Sequence, residues 1–384
     1  MKKIYLDHNA TTPVDPRVLT AMHPYFSEVF GNPSSIHAFG REAKEALERA
    51  RGRIAHLLRA GEREICFTGS GTEADNMAIK GVAHSYRNKG DHLITSQIEH
   101  HAVLASCAYL EKEGFRVTYL PVDGTGRVDP DDVRKAITDH TILITIMHAN
   151  NEVGTIQAIP EIGRIAREHG VLFHTDAVQT AGKLPVDVDA LNVDLLSLSG
   201  HKIYAPKGVG ALYIRKGTKI TPLIHGGHHE HGRRAGTENL ASLVGLGKAA
   251  EIAGAERAEE YKRLTKLRDA LHKKITDRIE RVFLNGHPTQ RIANTLNLSF
   301  AAVEGESIIL SLDMEGIAVA SGSACTSGSL ESSHVLNAMG IIPELTQSSV
   351  RFSLGRTNTP EDMETVAEAL PPIIERLRAM SPLT

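Results

Sequence analysis

Residues 194–202 read DLLSLSGHK, an apolar run that ends in Ser199, Gly200, His201 and Lys202. The run has the length and composition of a buried strand, and residues 204–210, YAPKGVG, follow it as a loop. A lysine at a strand end in apolar surroundings can lose its proton and attack an aldehyde. Lys202 is therefore a candidate to form a Schiff base with an aldehyde cofactor. The alternative is a solvated surface lysine, the usual environment of a single lysine.

A second candidate residue, Asp176, lies in HTDAVQ at 174–179, after the apolar run VLF. Pyridoxal phosphate (PLP) needs a carboxylate at its pyridine nitrogen, because the protonated ring accepts electrons from the substrate. Asp176 and Lys202 together fit that requirement, whereas Asp176 alone is more typical of a helix N-cap. Gln179, one helical turn further on, is a candidate for contact with the ring hydroxyl.

A third motif is GSGTEADN at 69–76, which leaves the strand EICF and is predicted to enter a helix. Free backbone amides at a helix N-terminus bind anions, so Gly71 and Thr72 are candidates to hold the cofactor phosphate. The motif also matches the dinucleotide pattern GxGxxA of dehydrogenases. That alternative leaves Asp176 and Lys202 without a role.

The wider pattern predicts an α/β fold with a mainly parallel seven-stranded sheet. Apolar, β-branched runs alternate with helical stretches. The predicted strands are Glu64 to Thr68, His92 to Ser96, Arg116 to Pro121, Thr141 to His148, Val171 to Thr175, Asp194 to Ser199 and Gly210 to Arg215. We predict a large PLP-binding domain over residues 15–255 and a smaller α+β domain formed by residues 1–14 and 256–384.

The smaller domain is predicted to begin with one charged helix, Glu256 to Arg281, which bridges the two domains. A strand from Asn294 to Phe300, a helix from Glu306 to Met314, a strand from Ser349 to Leu354 and a helix from Pro360 onward are predicted after it.

Composition narrows the possible partners. The net charge of -3 gives no electrostatic basis for binding nucleic acid or an anionic membrane. The sequence has no run of about 18 apolar residues and no signal-peptide pattern at its start. Three cysteines without a CxxC pair argue against a disulfide framework or a structural zinc site, so we expect a reducing cytoplasm.

The sequence resembles the cysteine desulfurases of the NifS/IscS kind, which belong to the fold type I, class V aminotransferase superfamily of PLP enzymes. Ten motifs in the family order carry the resemblance: YLDHNATTP at 5–13, GNPSSIH at 31–37, GSGTEADN at 69–76, EHHAVL at 99–104, HANNEVGTIQ at 148–157, HTDAVQ at 174–179, SGHK at 199–202, RRAGTEN at 233–239, SGSACTSG at 321–328 and RFSLGR at 351–356.

The resemblance implies a role for each matching residue. His100 should stack on the pyridine ring and transfer protons, and Asn151 should contact the substrate or the ring hydroxyl. The residues implied at the phosphate are Thr72, Ser199 and His201. Thr237 should reach the phosphate of the other subunit, which implies an obligate homodimer with shared sites. Arg351 should bind the substrate carboxylate in a bidentate geometry that lysine cannot reproduce.

Cys325 is the candidate nucleophile. Cys66 lies in the predicted strand EICF and Cys107 in the helical run AVLASCAYL, so both are expected to be buried and inert. Cys325 lies among small residues, a composition typical of a loop that can move. The resemblance implies that Cys325 takes sulfur from L-cysteine as a persulfide, leaves L-alanine, and passes the sulfur to an acceptor or scaffold protein for iron–sulfur cluster assembly.

Alternatives stay open at this stage. A class V aminotransferase for another amino acid would make Cys325 incidental, and a binding protein could keep the fold without catalysis. Nitrogen fixation, general cluster assembly, tRNA thiolation and selenocysteine use are not distinguished by the motifs. The histidine-rich segment at 228–231 does not have the spacing of known zinc motifs, so no metal is expected there.

Overall fold

A computed structural model describes residues 3–321 and 332–381. Within these ranges, seven strands form a central sheet in the order β2-β8-β7-β6-β5-β3-β4. Its strands are β2 (Ile65–Thr68), β3 (His92–Ser96), β4 (Arg116–Leu120), β5 (Thr141–Thr145), β6 (Leu172–Asp176), β7 (Leu195–Ser199) and β8 (Gly210–Ile214). The predicted mainly parallel seven-stranded sheet is confirmed, and each strand lies within three residues of its predicted bounds.

Strand β8 runs opposite to the other strands of the sheet and pairs antiparallel with both β2 and β7. The reason is the short connection between β7 and β8, residues 200–209, which contains no crossover helix. This connection carries Lys202. The fold therefore places the predicted Schiff-base lysine directly at the end of a central strand.

Helices cover both faces of the central sheet. The helices of the described ranges are α1 (Pro16–Met22), α2 (Pro24–Ser27), α3 (Ala38–Leu58), α4 (Gly71–Tyr86), α5 (His101–Lys112), α6 (Pro130–Ala136), α7 (Ile159–Glu168), α8 (Leu240–Arg278), α9 (Gly305–Met314), α10 (His334–Ala338), α11 (Pro343–Gln347) and α12 (Pro360–Met380). Helices α4 and α5 form an apolar core with one face, and α3, α7 and the first half of α8 form a core with the other. Both faces are buried, which explains the continuous apolar runs of the strands.

A separate core surrounds the small sheet β12-β10-β9, which consists of β9 (Val282–Asn285), β10 (Thr295–Phe300) and β12 (Ser349–Ser353). Helices α9 and α12 and the second half of α8 pack in this core. A parallel pair of short strands, β1 (Ile4–Tyr5) and β11 (Ile317–Ala318), joins it. Strands β1, β9 and β11 were not predicted from the sequence.

Helix α8 begins at Leu240, whereas the sequence predicted a start at Glu256, so that predicted boundary is wrong. The first half of the helix contains small residues because it packs closely on α3. A Cβ at Gly247 would lie 2.7 Å from the Cα of Ala50. Because close packing on α3 requires small residues, the first half of α8 has no stripe of large apolar residues from which a helix could be predicted.

None of the helices in the described part of the chain is long and apolar enough to span a membrane.

Candidate active site

The carboxyl ends of β2, β3, β5, β6 and β7 surround a cavity of about 190 Å³, called the central cavity below. Ligand sites of open α/β sheets lie at this edge. Ten of the twelve residues predicted for the site line the central cavity: Gly71, Thr72, His100, Asn151, Asp176, Gln179, Ser199, His201, Lys202 and Arg351. Five other segments of the chain thus bring their predicted residues to the end of β7, which Lys202 follows.

Lys202 lies in a 3-10 turn, Gly200–Lys202, and is 9% exposed. Its Nζ donates hydrogen bonds to the backbone oxygens of Asn9 and, at 2.7 Å, Ala10. These oxygens belong to the N-terminal segment 7–13, which crosses the end of β7. The amine is therefore held by carbonyl oxygens at one wall of the central cavity.

Asp176 is the last residue of β6 and is 6% exposed. Burial raises the pKa of Asp176 to about 6, although a hydrogen bond from the Val178 amide and the charge of Lys202 both favour the carboxylate. The Val178 amide donates to its Oδ1 at 2.8 Å. Residues 178–180 form a turn, so the predicted helical turn between Asp176 and Gln179 is wrong.

The part of the central cavity around Gly71 suits an anion. Ser70 caps α4 by accepting a hydrogen bond from the Glu73 amide, and Gly71 and Thr72 begin the helix. Gly71 must lack a side chain, because a Cβ there would lie 2.8 Å from Val178 Cγ2 and 3.2 Å from Ser199 Cβ. Helix amides and the hydroxyls of Thr72 and Ser199 are the donors that phosphate prefers.

His100 caps α5, and its Nδ1 accepts a hydrogen bond from the Ala102 amide at 3.1 Å. Burial, and then the charge of Lys202, lowers the pKa of His100 to about 4. The imidazole is therefore neutral near pH 7, and with Nδ1 accepting, its hydrogen lies on Nε2.

Arg351 on β12 is 2% exposed and already has a carboxylate partner. One amino group of its guanidinium donates to Asp7 Oδ1 at 2.8 Å and the other to the backbone oxygen of Asn151 at 3.0 Å. Its Nε has no hydrogen-bond partner among the described residues. A buried donor without a partner is costly, so Nε is available to a ligand carboxylate in the central cavity.

A family model for class V aminotransferases matches residues 4–366. A protein of Dictyoglomus turgidum named cysteine desulfurase IscS is 57% identical over 381 residues, which cover 99% of this chain and 97% of that protein. The chain belongs to the cysteine desulfurase family.

Solved structures agree with this membership. A structure described as a NifS-like protein has a TM-score of 0.92 at 39% identity and covers 98% of this chain and 100% of its own. A structure of SspA in complex with cysteine has a TM-score of 0.83 at 40% identity, covering 92% of this chain and 99% of its own.

The residues of the central cavity fit the PLP cofactor of this family. The cavity has an amine at Lys202, a buried acid at Asp176 and donors for a phosphate around Gly71, and these groups approach it from different strands. Arg351 Nε, which has no hydrogen-bond partner among the described residues, is a further donor that a bound carboxylate would use.

Two predicted residues are not brought to the central cavity. Thr237 is exposed and borders a different cavity, between β2 and the start of α8, together with Gly69 and Arg234. Cys325 lies outside the described residues. Cys66 and Cys107 are fully buried, as predicted, and burial raises the pKa of the Cys107 thiol to about 12.

The histidine-rich segment at 228–231 packs against α3 and β2 through Glu230. Glu230 points inward and forms a bidentate ion pair with Arg51, at 2.7 and 2.9 Å. It also accepts a hydrogen bond from the Phe67 amide at 2.8 Å. Within the described ranges, no group of three or more His, Cys, Asp or Glu side chains is placed to hold a metal ion.

Three residues of this region were not predicted from the sequence. Asp7 pairs with Arg351, Asn9 accepts hydrogen bonds from Lys202 and Gln179, and Asp75 lines the central cavity. Asp7 and Asn9 lie in the quoted motif YLDHNATTP and Asp75 in GSGTEADN. The signal was therefore present, but the individual residues were not assigned.

Proposed function

We propose that this protein is a cysteine desulfurase that converts L-cysteine into L-alanine and collects the sulfur on Cys325 as a persulfide, before transfer to an acceptor for iron–sulfur cluster assembly. The observation that carries the proposal is the convergence of Lys202, Asp176, His100 and Arg351 on one cavity. The similarity to proteins named cysteine desulfurase supports the choice of reaction.

The chain's own residues would act as follows. PLP, when bound, supplies an aldehyde for amine capture and a ring that accepts electrons. Lys202 would hold the cofactor and, once released by the substrate amine, take the α-proton at its Nζ. Asp176 would keep the ring nitrogen protonated, and Gln179 would contact the ring hydroxyl. Gly71, Thr72, Ser199 and His201 would hold the phosphate.

The substrate would be oriented by two groups. Arg351 would bind its carboxylate in a bidentate geometry through Nε and one amino group. That amino group donates to Asp7 in the structure, so the substrate carboxylate would replace Asp7 as its acceptor. Asn151 would contact the substrate or the ring hydroxyl. His100 would stack on the ring as a neutral imidazole, and its Nε2–H could be donated towards the substrate.

The electrons of the sulfur-transfer step balance, so the step needs no added oxidant. The Cys325 thiolate attacks the sulfur of L-cysteine, a new sulfur–sulfur bond forms, and the carbon–sulfur bond breaks. The electron pair of the broken bond stays on carbon, which takes up a proton to give L-alanine. The products are one L-alanine and one persulfide on Cys325.

The test uses purified protein with L-cysteine, with and without a thiol acceptor. We expect visible cofactor absorbance and, when the thiol acceptor is present to reduce the persulfide, alanine and sulfide in equal amounts. Cys325→Ala should keep the absorbance and lose alanine formation about 100-fold or more, a loss of about 2.7 kcal/mol of transition-state stabilisation. Cys107→Ala is the matched control and should keep activity. Undiminished alanine formation by Cys325→Ala would favour the aminotransferase alternative.

We also propose a homodimer with shared sites, in which Thr237 reaches the phosphate of the partner subunit. Two observations support it: Thr237 is exposed, and large apolar side chains at residues 26–39 face solvent, with Ile36 at 91% and Phe30 at 66% exposure. Contiguous exposed apolar surface is typical of protein interfaces.

Mixing two inactive variants tests the shared site. Lys202→Ala and Thr237→Ala each impair both sites of their homodimers. A mixed dimer has one intact site, so equal mixing should restore about a quarter of the wild-type activity when chains exchange at random. If Thr237 serves its own chain, mixing restores nothing, and a monomer in sedimentation would contradict the dimer.

A further inference from the structure

Asp75 on α4 lines the central cavity but has no part in the chemistry described above. It is 1% exposed, and its Oδ1 has no hydrogen-bond partner among the described residues. No lysine or arginine of the described ranges forms an ion pair with it. A buried carboxyl without a cation needs a physical explanation.

A chain of polar groups connects Asp75 to the middle of the sheet. His174 Nε2 lies 3.7 Å from Asp75 Oδ1 and 2.9 Å from Ser197 Oγ, and the Ser197 side chain faces Asp75. His174 Nδ1 lies 2.8 Å from Thr145 Oγ1. The chain therefore crosses β7, β6 and β5 through side chains that are all fully buried.

The polar chain lies next to Asp176. His174 and Asp176 are two residues apart on β6, so their side chains are on the same face of the sheet. Ser197 of β7 is the register partner of Asp176. A change in the charge or position of Asp75 therefore alters the electrostatic environment of Asp176, the acid proposed to contact the cofactor nitrogen.

The ionisable groups that face Asp75 are Asp176 and Glu99, which are acids, and His174. His174 Nε2 lies 3.7 Å from Asp75 Oδ1, but burial lowers the pKa of His174 to about 3, so it offers no positive charge near pH 7. Burial, and then the charge of Asp176, raises the pKa of Asp75 well above its ordinary value. Neighbouring buried carboxyls do not ionise together.

We propose that Asp75 is a positioning residue that lines the central cavity as a neutral carboxylic acid, so that Asp176 carries the negative charge opposite Lys202. The inference rests on the proposed function for the role of Asp176. A neutral Asp75 fixes the direction of the polar chain. Its hydroxyl donates to Ser197, Ser197 donates to His174 Nε2, and His174 Nδ1–H donates to Thr145. The sheet beneath Asp176 is thereby held by a single ordered set of hydrogen bonds.

Infrared spectroscopy of the cofactor-free protein tests the protonation state directly. The carbonyl stretch of a protonated carboxyl is separate from the carboxylate bands. The difference spectrum between wild type and Asp75→Asn at pH 7 should show the loss of one protonated carboxyl. A loss of carboxylate bands instead would overturn the proposal. Glu99→Gln is the positive comparison: burial raises the pKa of Glu99 to about 8, so this variant should also lose one protonated carboxyl, at a band position of its own.

A second variant covers the case in which Asp75→Asn does not fold. Ser197→Ala keeps every carboxyl but removes the hydroxyl to which Asp75 is proposed to donate. It should move the protonated carbonyl band of Asp75 without removing it. An unmoved band would contradict the polar chain.

The visible absorbance of the cofactor-bound protein gives an independent readout of charge. Removing a negative charge beside the cofactor lowers the pH midpoint of its absorbance change. Asp176→Asn should therefore shift the midpoint by about one pH unit or more, whereas Asp75→Asn should shift it by less than about 0.3 unit. Equal shifts would show that Asp75 is ionised. A colourless wild type would refute the proposed function while leaving the infrared result valid.

Discussion

Among single residues, Lys202 is distinguished from the other lysine of its connection by its environment. It is buried and surrounded by carbonyl oxygens, and its carbonyl partners come from a segment about 190 residues away in the chain. Lys207, on the same connection, is exposed. Lys207 is therefore a suitable control for Lys202, because the two lysines lie on the same connection and differ in burial.

Replacing Lys202 by Ala should abolish covalent cofactor attachment and reduce alanine formation by at least about four orders of magnitude, because both the cofactor anchor and the proposed base are lost. Borohydride reduction followed by peptide mapping measures attachment. Lys207→Ala should retain both properties. Attachment that persists in Lys202→Ala would mean that another amine holds the cofactor.

Arg351→Lys should raise the KM for L-cysteine about ten-fold or more, because lysine keeps the charge but lacks the fork that Nε and one amino group provide. Cofactor absorbance should be unchanged, since Arg351 is proposed to bind substrate and not cofactor. Steady-state kinetics at saturating cofactor provide the measurement. An unchanged KM would mean that the ion pair with Asp7 is the main role of Arg351.

Some site residues were predictable from the sequence because of where they stand. Lys202 and Asp176 each end an apolar run, and Gly71 and Thr72 begin a helix after one. Asn9, Asp7 and Asp75 were not assigned, because their roles arise from packing between distant segments. Asn9, for example, contacts Lys202, Gln179, Thr295 and Asn294. No local pattern encodes such contacts.

At the scale of elements, the central strands were predicted well because buried parallel strands are continuous apolar runs. The direction of β8 follows from the short connection before it. The start of α8 was missed because its small residues serve close packing on α3. Strands β1 and β11, with two residues each, were missed because pairing with a distant partner defines them.

The Arg51–Glu230 pair holds the histidine-rich segment against β2 and is buried on both sides. Glu230→Ala leaves the Arg51 guanidinium buried without its bidentate partner, so we expect a loss of about 3–5 kcal/mol in the free energy of unfolding. Denaturant unfolding monitors the loss. Lys273→Ala, which breaks the exposed Lys273–Asp277 pair, should cost less than about 1 kcal/mol. Equal losses would contradict this difference.

At the scale of the whole molecule, buried histidines should make the cofactor-free protein sensitive to acid. Burial lowers the pKa of His8, His100, His148 and His201 to about 4 and that of His174 to about 3. These groups bind protons on unfolding below pH 6.5, so stability falls as pH drops. Asp75, Glu99 and Asp176 oppose the effect, because their pKa values are raised in the folded protein.

The five histidines outnumber the three acids, so the melting temperature should fall between pH 6.5 and 4.5. Each buried imidazole contributes up to about a ten-fold change in the unfolding equilibrium constant per pH unit. His148→Gln should weaken the dependence by about one proton, whereas His140→Gln, at an exposed position, should leave it unchanged. A melting temperature independent of pH in this range would contradict the account.

The two halves of α8 pack in different cores, and Ile4 and Leu6 join the core of the small sheet. This distribution supports the predicted division into residues 15–255 and residues 1–14 with 256–384, which stays a prediction. Under that division, the central cavity takes Arg351 from the smaller domain and Lys202 and Asp176 from the larger one.

The central claim is that sulfur leaves L-cysteine in the cavity around Lys202 and is received by Cys325. Mass spectrometry after a single turnover without acceptor tests it most directly. We expect one alanine per chain and one additional sulfur atom on the peptide that contains Cys325. Alanine formed without sulfur on that peptide, or with sulfur on the Cys66 or Cys107 peptide, would contradict it.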